Sequence, residues 1–189
     1  MKKKYIYTQQ EKIQWFGEGE WIDEPDLINF SEKGFDCLII RIIFREQNGH
    51  YFGGYICGYI EIPKQNKFFE FDYNYFLNLI DCHGGITFCE MDDSKKIVGF
   101  DCSHTYDLIP SFEKTGISKK IQEDILEMLP HLKDIKMLSK IFHRTYKNID
   151  FCINQCKYIV EQLIENDKSF DASTSGCEMV EKFKVNENS

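Results

Sequence analysis

Two short segments of the sequence concentrate side chains that bind metal ions or transfer protons. The first runs from Asp81 to Gly85 (DCHGG), and the second runs from Asp101 to Asp107 (DCSHTYD). Imidazole, thiol and carboxylate groups serve as metal ligands and as general acids or bases. Glycines let a backbone approach a ligand closely or present its N–H groups to an anion. The candidate catalytic residues are His83, Asp101, Cys102, His104 and Asp107, and the candidate ligand-binding residues are Gly84, Gly85 and Thr87.

Three chemistries fit this set of residues, and the sequence leaves all three open. A divalent metal ion such as zinc would be held by His83, His104 and Asp101, with one position left for water. A metal-free site would use a histidine as general base, oriented by Asp101 or Asp107, to activate water or Cys102. A binding site would use the same groups to hydrogen-bond a small polar ligand, such as a nucleotide. The spacing D-C-x-H-x-x-D is less specific than C-x-x-C pairs or H-E-x-x-H.

The two segments flank a predicted β-hairpin, which would bring them together. Residues 86–90 and 96–101 are rich in β-branched and aromatic residues, and the polar stretch 91–95 between them is typical of a turn. In an antiparallel pair, the start of one strand lies beside the end of the other. We therefore expect His83 to share one edge of the sheet with residues 101–107.

The remaining pattern predicts an α+β fold, with an antiparallel sheet of about four strands in the N-terminal two-thirds and two to three C-terminal helices. Residues 37–44 and 51–62 have the composition of a β-hairpin, and residues 117–128, 132–142 and 149–163 show helical periodicity. We expect an irregular N-terminal lead-in over residues 1–35, packed on the body. A single α+β domain then covers 36–166, and a mobile polar tail covers 167–189.

Simpler structural explanations apply to several of these residues. His83 and the glycines after it could form only the turn that enters a strand. Five of the cysteines are expected to be small core residues in a reduced protein: Cys57, Cys89, Cys102, Cys152 and Cys156. Carboxylates outside the two segments are spread widely, as on a solvated surface.

Composition excludes several classes of protein. The chain has 189 residues, is 42% hydrophobic and carries a formal net charge of −8. This acidic balance argues against direct nucleic-acid binding, which requires basic groups to replace counterions. No segment approaches the ~20 apolar residues of a membrane span, and no apolar stretch follows the basic start as in a signal peptide. We expect eight reduced cysteines and a cytoplasmic location.

The sequence also resembles an uncharacterised family of small phage, prophage and bacterial proteins. The resemblance covers about residues 15–163 and is carried by the following segments: Glu20-Trp21, Glu24-Pro25-Asp26, Gly34–Cys37, Arg41, Gly58-Tyr59-Ile60, His83-Gly84-Gly85-Ile86-Thr87, Gly99-Phe100-Asp101-Cys102-Ser103-His104, Tyr146 and Cys156. The family pattern has Gly-Asp soon after the second histidine, where this chain has Tyr106-Asp107. The resemblance implies an accessory protein of a mobile element, in the cytoplasm of a bacterial host, that modifies host physiology or counteracts host defence.

Two functional classes follow from these observations. In the first, a pocket built from His83, Asp101, Cys102, His104 and Asp107 binds or acts on a small polar, nucleotide-like ligand. A metal-dependent hydrolase is the same hypothesis with turnover added. In the second, the acidic surface imitates nucleic acid and inhibits a host defence nuclease by protein contact. The expected partner is accordingly a small polar ligand or a host defence protein.

Overall fold

The structure is a computed structural model that describes residues 1–91, 94–128 and 144–173. Its strands are β1 (Lys2–Lys4), β2 (Leu27–Glu32), β3 (Phe35–Arg45), β4 (Tyr51–Ile62), β5 (Phe88–Met91) and β6 (Lys96–Asp101). They form one antiparallel sheet in the order β1-β2-β3-β4-β6-β5. The helices are α1 (Gln9–Phe16), α2 (Tyr73–Leu79), α3 (Pro110–Thr115), α4 (Ile117–Met128) and α5 (Ile149–Ser173), with single 3₁₀ turns at Glu20–Ile22 and Lys67–Glu70. The predicted α+β class is confirmed.

The sheet has six strands rather than the four expected. The two additional strands, β1 and β2, lie together with α1 inside residues 1–35, so this segment is not the irregular lead-in that we predicted. In β2, Ile28 and Phe30 face the core and pair with Ile39 and Cys37 of β3. Two core-facing residues give β2 only a weak alternating pattern. β1 has no apolar pattern, because its sequence is Lys-Lys-Lys. Long-range pairing with β3 makes this segment extended.

The long hairpin β3–β4 forms the centre of the sheet, and the β5–β6 hairpin extends it. The predicted antiparallel pairing of β5 and β6 is confirmed, with Phe88 opposite Gly99 and Met91 opposite Lys96. β6 also pairs with β4, so the ends of the β5–β6 hairpin are fixed relative to the central strands. This pairing determines which residues meet at the candidate site.

α5 covers one face of the sheet and completes the hydrophobic core. Its predicted apolar face is confirmed: Ile149, Cys152, Cys156, Val160 and Leu163 are all buried. The helix lies very close to β4, because a Cβ on Gly58 would stand 2.9 Å from the Cys156 sulfur. Glycine is therefore required where the helix crosses the strand.

Other sequence expectations have different outcomes. α5 continues to Ser173, so the tail predicted from residue 167 begins inside a helix; residues 174–189 lie outside the described residues. α4 confirms the predicted helix at 117–128, whereas the helical pattern over 132–142 also lies outside the described residues. In the described parts of the chain, no helix combines the length and the apolar character needed to cross a membrane.

A buried network of charged side chains fastens the N-terminal segment to the sheet. Asp26 is fully buried; its Oδ1 lies 2.9 Å from Lys12 Nζ and 3.1 Å from Arg41 Nε. The Arg41 guanidinium also contacts Glu24 Oε2 at 2.8 Å and donates to the Tyr146 hydroxyl at 2.8 Å. Tyr146 in turn donates to Glu24 Oε2 at 2.5 Å. Charges removed from water are tolerated when they are paired and hydrogen-bonded in this way.

Backbone groups complete this network. The N–H groups of Ile6 and Tyr7 donate to Asp26 Oδ2 at 2.8 and 3.0 Å, and the N–H of Ile149 donates to Glu24 Oε1 at 2.9 Å. The network therefore joins the N-terminal segment, β3 and the start of α5. The side chains of Glu24, Asp26, Arg41 and Tyr146, which are among the residues that carry the resemblance, therefore have a structural role.

Candidate functional site

The β5–β6 hairpin brings the two predicted segments together at one end of the sheet. His83 lies in the loop that leads to β5, and His104 follows the end of β6. The N–H of Thr87 bonds to the carbonyl of Gly99 at 2.9 Å and continues the hairpin pairing toward the site. The His83 and His104 rings lie 5.3 Å apart at 89° to each other. The spatial proximity that we expected from the hairpin is present.

Asp107 is the centre of the cluster and the partner of both histidines. Its two carboxylate oxygens each lie 2.9 Å from His83 Nε2. Oδ2 also accepts a bond from the His104 backbone N–H at 3.0 Å and lies 3.2 Å from His104 Nδ1. The Asp107 side chain is 1% exposed, whereas those of His83 and His104 are 22% and 31% exposed. A buried carboxylate thus supports two partly accessible imidazoles.

The surroundings of Asp107 favour its charged form. Burial alone raises the pKa of this carboxyl, but hydrogen bonds from His83 and from the His104 backbone lower it by more, so the pKa lies below its usual value. The loop is held in place by a parallel bridge between Asp107 and Thr145, in which Leu108 N–H donates to the Thr145 carbonyl at 3.0 Å. The ionised carboxylate is therefore fixed in position before any ligand binds.

Gly84 explains why a glycine follows the first histidine. Its φ is +70°, and a Cβ at this position would lie only 2.0 Å from His104 Cε1. The His104 ring therefore packs directly against the Gly84 backbone, in space that any other residue would fill. The backbone conformation and the close approach both require glycine here.

Gly85 and Thr87 have different environments. The Gly85 N–H donates to the Cys82 carbonyl at 3.0 Å, so this group closes the loop and does not point to a ligand. Thr87 lines a cavity on the sheet next to the site. Of the three predicted ligand-binding residues, Gly84 contacts the cluster and Thr87 faces the neighbouring cavity.

Asp101 and Cys102 point to opposite faces of the sheet. Asp101 Oδ1 lies 3.9 Å from His104 Nδ1, at the margin of the cluster, and accepts a bond from the Ser103 N–H at 2.9 Å. Cys102 is buried in the core, with its sulfur 3.7 Å from that of Cys152. The hydrogen bond with Cys152 and burial raise the pKa of the Cys102 thiol, which keeps it protonated. Asp107, rather than Asp101, is therefore the carboxylate that contacts both histidines, and Cys102 lies in the core, outside the cluster.

The first two turns of α5 and the residues just before it contribute side chains that the sequence did not point to. Lys147 Nζ lies 3.9 Å from Asp107 Oδ1, donates to Thr145 Oγ1, and stands 5.3 Å from the centre of the Phe151 ring. The Phe151 ring also meets the His83 ring edge-on at 5.3 Å. Gln155 accepts a bond from the His83 backbone N–H at 2.8 Å. Phe151 and Gln155 are one helical turn apart on α5. This spacing, which places them on one side of the helix, was the only feature of the sequence that could have indicated that they lie together.

The cluster has the composition of a metal site. One ligand atom each of His83, His104 and Asp107 lies within 4.8 Å of the other two. Two imidazoles and one carboxylate form a common catalytic ligand set for zinc and for non-haem iron, and three protein ligands leave a position open for water or substrate.

Comparison of the chain with protein-family models, with curated proteins and with solved structures found no match.

Proposed function

We propose that the protein binds one divalent transition-metal ion at His83, His104 and Asp107 and binds a small polar ligand through it. The observation that carries this proposal is the convergence of three ligand atoms within 4.8 Å, which occurs at a single place in the described parts of the chain. The two imidazoles are partly exposed and the carboxylate is buried. An ion held by these three atoms would keep an accessible side for a ligand.

The distances from Asp107 to the two histidines are close to those of a metal site. With metal–ligand bonds of about 2.0–2.1 Å, the ligand atoms of a tetrahedral zinc site lie roughly 3.3 Å apart. Asp107 oxygens lie 2.9 Å from His83 Nε2 and 3.2 Å from His104 Nδ1. Two of the three separations are therefore within a few tenths of an ångström of this value, and all three ligand atoms lie within 4.8 Å of one another. Gly84 and the bridge between Asp107 and Thr145 already fix the His104 ring and the carboxylate.

The same arrangement could support hydrolysis as well as binding. A divalent ion lowers the pKa of bound water toward neutrality and polarises a phosphoryl or carbonyl oxygen. Lys147, 3.9 Å from Asp107 Oδ1, would stand next to an anionic ligand group and attract it. Binding of a polar ligand is the function proposed here, and a metal-dependent hydrolase is its extension.

The direct test is zinc titration of the metal-stripped protein by isothermal calorimetry. We expect one equivalent to bind, and the affinity should fall as the pH is lowered, because protons compete with the metal ion for its ligand atoms. The double variant His83→Ala/His104→Ala should lose at least ~100-fold in affinity, since removal of supporting residues alone costs 10–100-fold.

His50→Ala is the matched control, because His50 is exposed in the turn between β3 and β4 and is not one of the three residues of the cluster. It should bind zinc as the unchanged protein does. Zinc binding that survives in a folded double variant, or that is absent from the unchanged protein, would refute the proposed site.

Lys147 gives a second test, because its ammonium competes with a metal ion for Asp107. Lys147→Met keeps most of the aliphatic stem over Phe151 but removes a positive charge 3.9 Å from Asp107 Oδ1. We expect zinc affinity to increase roughly 5-fold, corresponding to about 1 kcal/mol for charges at this distance in a well-solvated environment. Unchanged or weaker zinc binding by a folded Lys147→Met variant would show that the ammonium does not compete for this carboxylate.

For the biological role, we propose an accessory protein of a mobile element that counteracts host defence from the bacterial cytoplasm. The support is the resemblance, whose segments include His83, Gly84 and His104 of the site. The alternative is an acidic inhibitor that occupies a host nuclease, supported by the net charge of −8. Loss of protection in cells with the double histidine variant would favour the pocket. Loss only after charge reversal of surface carboxylates would favour the inhibitor.

A further inference from the structure

A shallow cavity lies beside the cluster on the sheet face opposite α5, called here the distal face. Its volume is about 260 Å³. Tyr55 and Tyr59 of β4 belong to this face, because Gly58 between them faces α5 and successive residues of a strand alternate. Residues lining the cavity include Tyr55, Tyr59, Thr87, Phe88, Asp101 and Ser103.

The cavity borders the cluster at Asp101, although His83, His104 and Asp107 are not among the residues that line it. The Asp101 carboxylate lines the cavity, and its Oδ1 lies 3.9 Å from His104 Nδ1. Ser103, which also lines the cavity, is the chain neighbour of His104. A ligand that filled the cavity could therefore place one of its groups at the metal-binding atoms.

The lining favours a planar ring with polar edges. The walls carry the aromatic side chains of Tyr55, Tyr59 and Phe88, of which Tyr59 and Phe88 meet edge-on at 5.2 Å. One rim carries the Asp101 carboxylate and the hydroxyls of Thr87 and Ser103, which can hydrogen-bond exocyclic amino and carbonyl groups. The volume is below the ~300–1,000 Å³ of sites for drug-sized ligands, so it suits one ring system. Aromatic walls stack on any base.

The charged groups at the cluster indicate which chemical group of the ligand would bind there. The protein has a net charge of −8, so an anion needs local positive charge to bind. The described site offers the Lys147 ammonium, 3.9 Å from Asp107 Oδ1, and the proposed metal ion. Phosphate is the group that such a combination recognises most readily.

We infer that the ligand is a nucleotide, with its base in the distal-face cavity and its phosphate at the metal-binding cluster. This inference rests on the proposed metal site and adds to it the class of ligand and its orientation. Asp101 lies between the two ends and would contact the sugar or the edge of the base.

The test uses the zinc-loaded protein and five probes: the 5′-monophosphates of adenosine, guanosine, cytidine and uridine, and ribose 5-phosphate as the probe without a base. Calorimetry should show at least one nucleotide binding roughly tenfold more tightly than ribose 5-phosphate, as expected for one stacked base. Phe88→Ala should remove that advantage and leave the affinity for ribose 5-phosphate and zinc unchanged. Tyr5→Ala is the control, since Tyr5 is exposed and is not among the residues lining the cavity.

The outcomes separate this inference from the proposed function. If zinc binds but no nucleotide exceeds ribose 5-phosphate, or if Phe88→Ala keeps the advantage, the nucleotide assignment is wrong and the metal site stands. If the unchanged protein binds no zinc, the metal site is wrong and the inference falls with it. Should Phe88→Ala fail to fold, Phe88→Leu removes the aromatic ring while preserving apolar volume, and the same loss of advantage is expected.

Discussion

Asp107→Asn is expected to lower zinc affinity by at least ~100-fold, more than the change expected at Lys147. The substitution preserves the size of the side chain but removes the charge that a divalent ion requires. It also places an amide group opposite His83 Nε2 and the His104 N–H, which both contact the carboxylate now. The variant should therefore lose about 1–3 kcal/mol of folding free energy as well, the cost of disrupting buried hydrogen bonds.

The pH dependence of that stability loss has a definite sign. The pKa of Asp107 is lower in the folded protein than in the unfolded chain. The ionised carboxylate therefore stabilises the fold at pH values above its unfolded-state pKa, and this stabilisation disappears as the pH falls through the folded-state pKa. The difference in unfolding free energy between the unchanged protein and Asp107→Asn should be largest near neutral pH and shrink in acid, below about pH 4.

Urea unfolding at several pH values, with zinc removed, measures this directly. Asp101→Asn is the matched control, because its carboxylate is 26% exposed and lies at the margin of the cluster. It should lose much less zinc affinity and little stability. Equal loss of zinc affinity in the two variants would show that Asp101, the carboxylate ligand predicted from the sequence, contributes as much as Asp107.

Asp26→Ala is expected to destabilise the protein by about 3–5 kcal/mol, the cost of breaking a buried ion pair by removing one partner. Both Lys12 and Arg41 lose their contact with this carboxylate, and Lys12 is fully buried. The N–H groups of Ile6 and Tyr7 also lose their acceptor. Because domains are stable by only ~5–15 kcal/mol, this is a large part of the total.

Urea denaturation and thermal unfolding should both record the change, with a melting temperature roughly 6–20 °C lower. Glu161→Ala is the matched control: it breaks the exposed pair with Lys33 and should cost no more than ~1 kcal/mol. The loss of stability caused by Lys12→Met should lie between the losses caused by Asp26→Ala and Glu161→Ala, since Asp26 keeps Arg41 as its partner. A loss below ~1 kcal/mol in Asp26→Ala would show that the network does not hold the N-terminal segment.

Local sequence patterns predicted the elements whose signal lies within a few residues. β3, β4, the β5–β6 hairpin and the apolar face of α5 all have regular spacing of apolar residues. β1 and β2 were not predicted, because Lys2–Lys4 has no apolar pattern and β2 becomes a strand through pairing with β3. Their extended conformation is a tertiary effect that a local window does not contain.

In the candidate site, too, local sequence patterns predicted some features, whereas others depend on tertiary packing. The hairpin register was enough to place His83 near His104 and Asp107. The alternation along β6 could also have shown that Cys102 shares the core face with Phe100, while Asp101 points to the distal face. Lys147 could not be predicted, because its position depends on how α5 packs against the sheet.

The three lysines of β1 have a consequence for how the protein behaves at high concentration. β1 forms one border of the sheet, and all three of its side chains are exposed. An uncovered strand border can pair with the border of another molecule and start aggregation, and a short strand of like charges opposes this. β1 therefore shields the more apolar β2 from intermolecular pairing, so the lysines protect colloidal stability although they contribute little to the core.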